Sequence, residues 1–311
     1  MLLHVAGLTA PLFLLVLLGF ALTRFGWPRA AADALTRFVF SVAVPTLLFR
    51  LMSDFSRLPP VDARLLIAFF GGCLVVYAAG RLAGATLFRM DGVTQSVFAM
   101  GGIFSNNVLL GIPLAKVTLG DASLPAVSLV LVFNSFILWT LVTVSVEWAR
   151  HRDFSLRGLA KTSKGVVTNP VVASILAGTA FGFLDVPLPT PIDRTLQLVS
   201  DAAVPLSLIT LGMGLAEFGV LAGWRESAAI ATLKLVAQPS AVYALARLLA
   251  LPPLESAAVV MLAALPVGAN VYLMSRQFGV LSGAVASSIV LTTALAALTT
   301  PLTLTLIHAG P

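Results

Sequence analysis

Two short stretches of the sequence place side-chain amides beside residues that interrupt helices. Residues 106–113 read NNVLLGIP, and residues 265–270 read LPVGAN. Proline lacks an amide hydrogen and clashes with the preceding turn, so neither stretch is expected to form a regular helix. A helix that restarts after a break offers free N–H groups and a partial positive charge at its N-terminus, which suit an anionic carboxylate.

Three asparagines in these stretches, Asn106, Asn107 and Asn270, would add neutral donors and acceptors to such a site. The alternative is that their amides hydrogen-bond between helices and only hold a bundle together. We favour a binding role, because the amides coincide with the predicted breaks.

Three charged residues lie inside or at the end of long apolar segments. Asp201 and Lys234 each lie about nine residues inside a segment, which is roughly 14 Å along a helix. An ionisable group at that depth in a membrane costs at least about 2.5 to 3.5 kcal/mol and predicts a function. One interpretation gives the pair a role in ion or proton coupling, with Asp201 as the site; the other makes them a structural ion pair. Arg276 either contacts a second carboxylate of a dianionic ligand or extends to the membrane interface.

The composition explains why these polar residues stand out. The 311 residues are 59% hydrophobic and 10% charged, whereas soluble domains carry about 25% charged residues. Apolar stretches recur along the whole chain, so we predict one all-α integral membrane protein. The net charge of +6 fits membrane topology better than nucleic-acid binding, which we do not expect.

The residues that most often bind metals are few and scattered. Cys73 is the only cysteine, and His4, His151 and His308 are far apart in the sequence. We therefore predict no disulfide within one chain, no metal site and no cofactor.

The apolar segments divide into ten predicted membrane spans. A helix needs roughly 20 residues to cross the hydrocarbon core of a bilayer. Cutting the chain at charges, Pro-Pro pairs and Gly/Asp turns gives spans at 4–23, 33–53, 64–88, 93–118, 123–148, 169–184, 192–216, 225–250, 254–277 and 282–307. The fourth and ninth spans contain the two interrupted stretches.

The charges between the spans predict the orientation. The connection from Arg150 to Lys164 holds five basic residues against Asp153 as its only acid. Positively charged loops remain in the cytoplasm, so we predict that loop 150–168 is cytoplasmic. With ten spans, both termini then lie outside.

Short sequence motifs recur in the same order in both halves of the chain. The word AVP occurs at 43–45 and 203–205, V-Y-A-x-x-R-L at 76–82 and 242–248, and N-V-x-L at 107–110 and 270–273. Because five spans is an odd number, the second half must enter the membrane from the opposite side. We predict two inverted five-helix repeats, residues 1–149 and 169–311, as in many secondary transporters. The alternative is that short apolar words recur by composition.

The chain resembles the auxin efflux carrier family over essentially its full length. Residues 106–114 are similar to the family's N-x-x-x-x-G-I-P-L, residues 265–270 to its L-P-x-G/A-x-N, residues 200–208 to its D-A-x-x-P-L-x-L, and residues 233–239 to its L-K-L segment with a later proline. The resemblance implies ten helices with two crossing broken helices, alternating access and transport of organic anions. By matching position it implies that Asn106, Pro113, Pro266 and Asn270 contact the substrate.

The bacterial members of this family include malonate and malate permeases, and the short loop 150–168 resembles theirs more than the long loop of plant members. We therefore expect a secondary transporter of small dicarboxylates in the cell membrane, with a proton or sodium as the coupling ion; a homodimer is also allowed. The alternatives are a sodium-coupled symporter of the bile-acid type, a channel or a sensor. An enzyme is not expected, since no catalytic constellation is found.

Overall fold

The described residues form an almost entirely helical protein. The computed structural model describes residues 2–53, 61–151, 170–184, 186–216 and 223–309. The helices of these ranges are α1 Leu2–Arg24, α2 Arg29–Ser53, α3 Arg64–Thr86, α4 Gly92–Gly101, α5 Asn107–Thr118, α6 Leu124–His151, α7 Pro170–Gly182, α8 Thr190–Leu215, α9 Trp224–Leu248, α10 Pro253–Ala263, α11 Ala269–Phe278 and α12 Ser282–Ala309. The predicted all-α class is confirmed.

Five helical segments in the described ranges are long and apolar enough to cross a membrane: α2, α3, α8, α9 and Ser282–Leu306 of α12. Shorter apolar helices lie at Ala10–Arg24, Asn107–Thr118, Asp121–Asn134, Pro170–Gly182 and Pro253–Ala263. This pattern fits a multi-pass membrane protein. Most of the basic loop 150–168 lies outside the described residues.

Both predicted interruptions occur. α4 ends at Gly101 and α5 begins at Asn107, while α10 ends at Ala263 and α11 begins at Ala269. The residues between are not helical. Pro266 and Gly268 lie in the second gap, whereas Gly111 and Pro113 follow the first gap and lie in α5, which starts with a π turn.

Three of the described helices contain a π turn, and each turn is followed by a proline. The turns Val39–Ala43, Asn107–Gly111 and Leu233–Ala237 precede Pro45, Pro113 and Pro239, each by two residues. A proline ring clashes with the carbonyl four residues earlier, and that carbonyl lies inside the π turn in all three cases. The wider turn accommodates the proline without ending the helix.

The helices pack into two groups. In one group α1 and α2 pack on α8, and α2 also packs on α7; in the other, α3 packs on α4 and α9, and α12 packs on α9, α10 and α11. In the first group a Cβ on Gly19 would be 2.0 Å from the carbonyl oxygen of Ile209, so α1 and α8 touch backbone to backbone. α1 also contacts α5 and α12, which joins the groups.

Candidate functional site

The two helix breaks lie side by side in antiparallel orientation. Ser105 and Val267 form an antiparallel bridge, in which the Asn106 amide donates to the Pro266 carbonyl at 3.0 Å and the Gly268 amide donates to the Phe104 carbonyl at 2.8 Å. The Val267 amide donates to Oγ1 of Thr292 on α12 at 3.1 Å. The main-chain groups freed by the breaks therefore bond to one another and to α12, as an apolar environment requires. We call residues 102–106 and 264–268 the crossover.

Helix α9 closes the crossover from one side with two buried polar side chains. Nζ of Lys234 donates to the carbonyl of Ala263, the last residue of α10, at 2.6 Å. Nε2 of Gln238 donates to the carbonyl of Ile103, just after α4, at 2.8 Å. Both side chains are 0% exposed. They satisfy carbonyls that the C-terminal ends of two helices leave without intrahelical partners.

A cavity of about 320 Å³ lies beside the crossover, within the size range of small-molecule sites, roughly 300–1,000 Å³. Its lining comes from both groups of helices. The lining residues are Ala32, Asp33, Thr36, Phe40, Phe104, Ser105, Asn106, Asn107, Val108, Leu109, Leu131, Asn134, Val171, Val172, Thr210, Leu211, Gly214, Leu215, Gly268, Ala269, Asn270 and Ile289.

Several buried polar atoms of the lining have no hydrogen-bond partner among the residues that the structure describes. They are Oγ of Ser105, Nδ2 of Asn106, both side-chain polar atoms of Asn107 and Oδ1 of Asn134. Leaving a buried polar group unsatisfied costs about 1–3 kcal/mol, and most such groups in proteins are paired. A cluster of such atoms around one cavity indicates a site for a polar ligand.

The electrostatics of the cavity come from helix ends and one carboxylate. α5 and α11 begin at the cavity with Asn107 and Ala269, so their first N–H groups and partial positive charges lie there. Among the described lining residues, Asp33 is the one charged side chain, and it is exposed to the cavity. The site therefore offers neutral donors and helix N-termini to an anion rather than a basic side chain.

The structure brings three of the predicted site residues together. Asn106, Asn107 and Asn270 all line the cavity, and Pro266 accepts the main-chain hydrogen bond of Asn106. Pro113 is buried in α5 behind the π turn and is not among the lining residues, and Arg276 is exposed on α11 away from the lining. Pro113 and Arg276 thus have no place at the cavity surface in this conformation.

The alternative interpretation of Asp201 and Lys234 as a structural ion pair is wrong. Lys234 is fully buried in α9 and bonds to the Ala263 carbonyl, whereas Asp201 is exposed on α8. The two segments belong to different helix groups, which the sequence alone does not reveal. Asp201 also lies outside the cavity lining.

Sequence reasoning missed several polar residues of the lining, among them Asn134 and Asp33. Asn134 is 4% exposed in the middle of α6, and Asp33 lies near the start of α2. An amide inside an apolar segment was a signal for Asn134. Asp33 gave none, because it lies at the predicted boundary of the second span, where a charge is ordinary.

Comparison with known proteins agrees with this geometry. The family model described as membrane transport protein matches residues 4–304. The chain is 28% identical over 310 residues to a protein of Rhizobium meliloti named "Putative malonate transporter", covering 99% of this chain and 97% of that protein. It is 26% identical over 300 residues to an uncharacterized transporter of Methanocaldococcus jannaschii, covering 90% and 91%. The resemblance to the auxin efflux carrier family is confirmed, and the chain belongs to this family of membrane transport proteins, as a transporter and not an enzyme.

Proposed function

We propose that the protein is a secondary active transporter that carries small organic anions, dicarboxylates such as malonate or malate, by alternating access. The observation that carries the proposal is the cluster of unpartnered buried amides at the crossover cavity, Asn106, Asn107 and Asn134. The name of the Rhizobium meliloti relative supports malonate as the first substrate to test.

Binding in this proposal uses groups that are already in place. Nδ2 of Asn106 and Nδ2 of Asn107 donate to carboxylate oxygens, and the first N–H groups of α5 and α11 add partial positive charge. Asn270, half-buried at the start of α11, provides a further amide. Because the antiparallel crossover holds these donors in place, binding of the anion costs little conformational entropy.

Alternating access follows from the proposed architecture of ten spans in two inverted repeats, residues 1–149 and 169–311. The pairing of equivalent breaks, Ser105 with Val267, is what a two-fold relation between repeats predicts. The cavity is lined by both helix groups, so a movement of one group against the other would open it to one side at a time. A homodimer and a cell-membrane location complete the proposal.

Counterflow in proteoliposomes tests this function. Vesicles loaded with unlabelled malonate or malate should accumulate the labelled acid, because exchange requires a carrier and not a channel or sensor. N106A and N270A should each reduce exchange about tenfold or more, the effect of losing a hydrogen bond to a charged group of about 1.5–3 kcal/mol. The control is Q277A, since Gln277 is an exposed amide on the same helix as Asn270 and outside the cavity lining.

Unchanged exchange in both N106A and N270A would show that the site is elsewhere. Absence of counterflow with any small mono- or dicarboxylate would reject the transport proposal itself. Equal losses in Q277A would indicate damage to the fold.

We also propose that Asp201 couples transport to protons. It is exposed in the interior of a helix long enough to cross a membrane, where a carboxylate is costly without a function. D201N should remove the dependence of exchange on pH. A pH profile equal to that of the wild type would leave Asp201 without a coupling role.

A further inference from the structure

A guanidinium is held between α3, α4 and α6, away from the crossover. Nη1 of Arg81 on α3 donates to Oγ of Ser96 on α4 at 3.0 Å and to Oγ of Ser145 on α6. Nη2 of Arg81 donates to Oε1 of Gln95 at 3.4 Å. Arg81 is half-buried, and none of these residues lines the cavity. The cluster is therefore separate from the proposed substrate site.

The three partners of Arg81 bring no negative charge. Oγ of Ser96 donates to a main-chain carbonyl of α4 at 2.7 Å, so the hydroxyl of Ser145, 2.9 Å away, is the donor between the two serines. Nε2 of Gln95 also donates to a main-chain carbonyl, at 2.7 Å. All three side chains thus direct donors elsewhere and offer lone pairs to Arg81. Within the described residues, the positive charge of Arg81 is met by neutral oxygen atoms.

Arg81 keeps one edge of its guanidinium for a further ligand. A guanidinium has five N–H donors, and the three hydrogen bonds leave Nε and one N–H of Nη2. Arg50 uses the same two atoms, Nε and Nη2, to bind both carboxylate oxygens of Asp193. No ion pair of the described residues includes Arg81. Arg81 is thus equipped for bidentate binding of an anion such as a phosphate.

The site lies at the surface where α6 ends and the basic loop 150–168 begins. A Cβ on Gly92 would be 4.0 Å from Nη2 of Arg81 and 2.9 Å from Cβ of Ala149, so two small residues flank the guanidinium. Ala149 is exposed, and the neighbouring Trp148 is 54% exposed. Tryptophans at the surface of membrane proteins are enriched at the level of the lipid headgroups. The guanidinium therefore lies near the headgroups and not deep in the hydrocarbon.

The charges at this end of the molecule favour an anionic lipid. Arg89 is exposed in the turn between α3 and α4. Asp91, the acid of the same turn, directs its carboxylate to the amides of Val93 and Thr94 at 2.9 and 3.0 Å. Loop 150–168 adds five basic residues against Asp153. Basic pockets between transmembrane helices on the cytoplasmic side bind anionic headgroups.

We infer that Arg81 binds the phosphate of an anionic phospholipid, such as phosphatidylglycerol, in the leaflet on the side of loop 150–168. Nε and Nη2 donate to two phosphate oxygens, while Ser96 and Ser145 hold the guanidinium in place. The bound lipid completes a link between α3, α4 and α6. The inference goes beyond the proposed function and does not depend on which substrate is carried.

Thermal unfolding of the purified protein in detergent tests the inference, with phosphatidylglycerol or phosphatidylcholine added at equal concentration. Both lipids have a phosphate, but phosphatidylcholine has no net charge. Phosphatidylglycerol should raise the wild-type midpoint in a saturable manner and by several degrees more than phosphatidylcholine does, since it binds the folded state. R81Q should weaken the apparent affinity for phosphatidylglycerol at least about tenfold, the effect of losing a hydrogen bond to a charged group.

Two variants separate lipid binding from a purely structural role of Arg81. S145A removes one acceptor and keeps the guanidinium, so it should lower the midpoint without lipid but respond to phosphatidylglycerol as the wild type does. R247Q removes the arginine of the matching V-Y-A-x-x-R-L motif, in the last turn of α9, and should leave the response unchanged.

Equal stabilisation of the wild type by both lipids would overturn the inference, as would wild-type affinity for phosphatidylglycerol in R81Q. A loss of response in S145A or R247Q as large as that in R81Q would also overturn it, since Arg81 would then act only as a structural link or as one charge among many. If inorganic phosphate produced the same saturable shift, the site would serve a soluble anion and not a lipid.

If R81Q does not fold, A149E decides. This variant keeps Arg81 and its hydrogen bonds but places a carboxylate beside Gly92 and Nη2 of Arg81. It should abolish the preference for phosphatidylglycerol over phosphatidylcholine, and an unchanged preference would overturn the inference. The measurement contains no organic acid, so its result is independent of malonate counterflow.

Discussion

Neighbouring asparagines at the crossover have different tasks. The main chain of Asn106 is fixed, since its amide donates to Pro266 and its carbonyl accepts from Gly111 at 3.1 Å. Neither polar atom of the Asn107 side chain has a partner, so it offers both a donor and an acceptor. A carboxylate uses only the donor, and a hydroxyl group would use the acceptor. The proposed site would thus suit a hydroxy acid such as malate as well as malonate.

Asp33 is expected to limit the charge of the substrate. It is the charged side chain among the described lining residues, so in the proposed site it would repel a second carboxylate of the substrate. D33N should raise the affinity for dianionic malonate about three- to tenfold, in line with removal of one like charge in a partly solvated site. Competition of malonate and of a monocarboxylate against labelled substrate measures this effect.

The control for D33N is D62N, because Asp62 precedes α3 and lies outside the lining. If D33N raised the affinity for the monocarboxylate as much as the affinity for malonate, repulsion between Asp33 and a second carboxylate would be contradicted. An effect of D62N as large as that of D33N would contradict it too.

Asp91 makes a pH-dependent contribution to stability at the start of α4. Its carboxylate accepts from the amides of Val93 and Thr94 at 2.9 and 3.0 Å and from Oγ1 of Thr94 at 2.7 Å. These hydrogen bonds, those to Thr94 first, lower the pKa of Asp91. A depressed pKa means that the stabilisation is present above the unfolded-state pKa, near 4, and is lost as the pH falls through the folded-state pKa.

D91A should therefore lower the unfolding midpoint by about 2 °C at neutral pH, from the loss of a helix cap worth about 1 kcal/mol. The difference from the wild type should shrink below about pH 4. D121A is the comparison, since the side chain of Asp121 lies 4.0 Å from Nζ of Lys116 and makes no hydrogen bond to a helix N-terminus. If the difference in unfolding midpoint between D91A and the wild type were the same at every pH, the Asp91 carboxylate would not be the stabilising group.

At the scale of residues, the sequence predicts the site where amides coincide with breaks and fails elsewhere. Asn106, Asn107 and Asn270 were found because Pro and Gly lie beside them. Asn134 lies in the regular helix α6 and Asp33 in α2, and only packing brings them to the cavity. Side chains contributed by unbroken helices depend on rotation and packing, which no local pattern encodes.

At the scale of elements, Gly268 allows the crossover to form. Its backbone is extended, with φ −78° and ψ 147°, so close approach and not conformation requires glycine. A Cβ at this position would be 2.9 Å from the Ser105 carbonyl oxygen. That oxygen belongs to the partner strand and cannot move without separating the two breaks.

G268A is therefore expected to reduce exchange at least about tenfold and to destabilise the protein by about 1–3 kcal/mol, the usual range for overpacking. Exchange and thermal unfolding measure the two effects. G7A is the matched control, because a Cβ on Gly7 meets nothing within 4 Å. If G268A exchanged substrate at the wild-type rate, transport would not require the close approach of the two helix breaks.

The sequence predicts where helices are interrupted but not how. Pro113 and Pro266 both lie in predicted breaks, yet only the second lies in non-helical backbone; the first follows a π turn within α5. Pro45 and Pro239 also follow π turns. Whether a proline ends, kinks or widens a helix depends on which carbonyls find other partners, and that is a tertiary property.

At the scale of the whole molecule, the orientation in the membrane is a prediction that labelling can check. Cys73 is 1% exposed, so a C73A background suits cysteine labelling. With the predicted topology, S163C in loop 150–168 should react with a membrane-impermeant maleimide only in inverted vesicles, because positive loops stay in the cytoplasm. A122C, in the exposed turn after α5, should react in intact cells.

The reverse pattern at both positions would invert the topology, and labelling of both from one side would contradict the number of spans between them. Composition and the spacing of charges are enough to predict a helical membrane protein. They do not predict that α1, α2, α7 and α8 form one group, because helices that are distant in sequence pack through small residues such as Gly19 and Gly212.

The construction of the cavity suggests how its selectivity can be redesigned. On the crossover side the surface is formed by main chain that is held by mutual hydrogen bonds, so most replacements there would disturb the backbone. On the opposite side Thr36, Phe40 and Leu211 project from continuous helices, so each can be exchanged without changing a chain path. In the proposed transporter, the length and bulk of the substrate are therefore open to engineering from α2 and α8, while the groups proposed to bind its carboxylate stay in place.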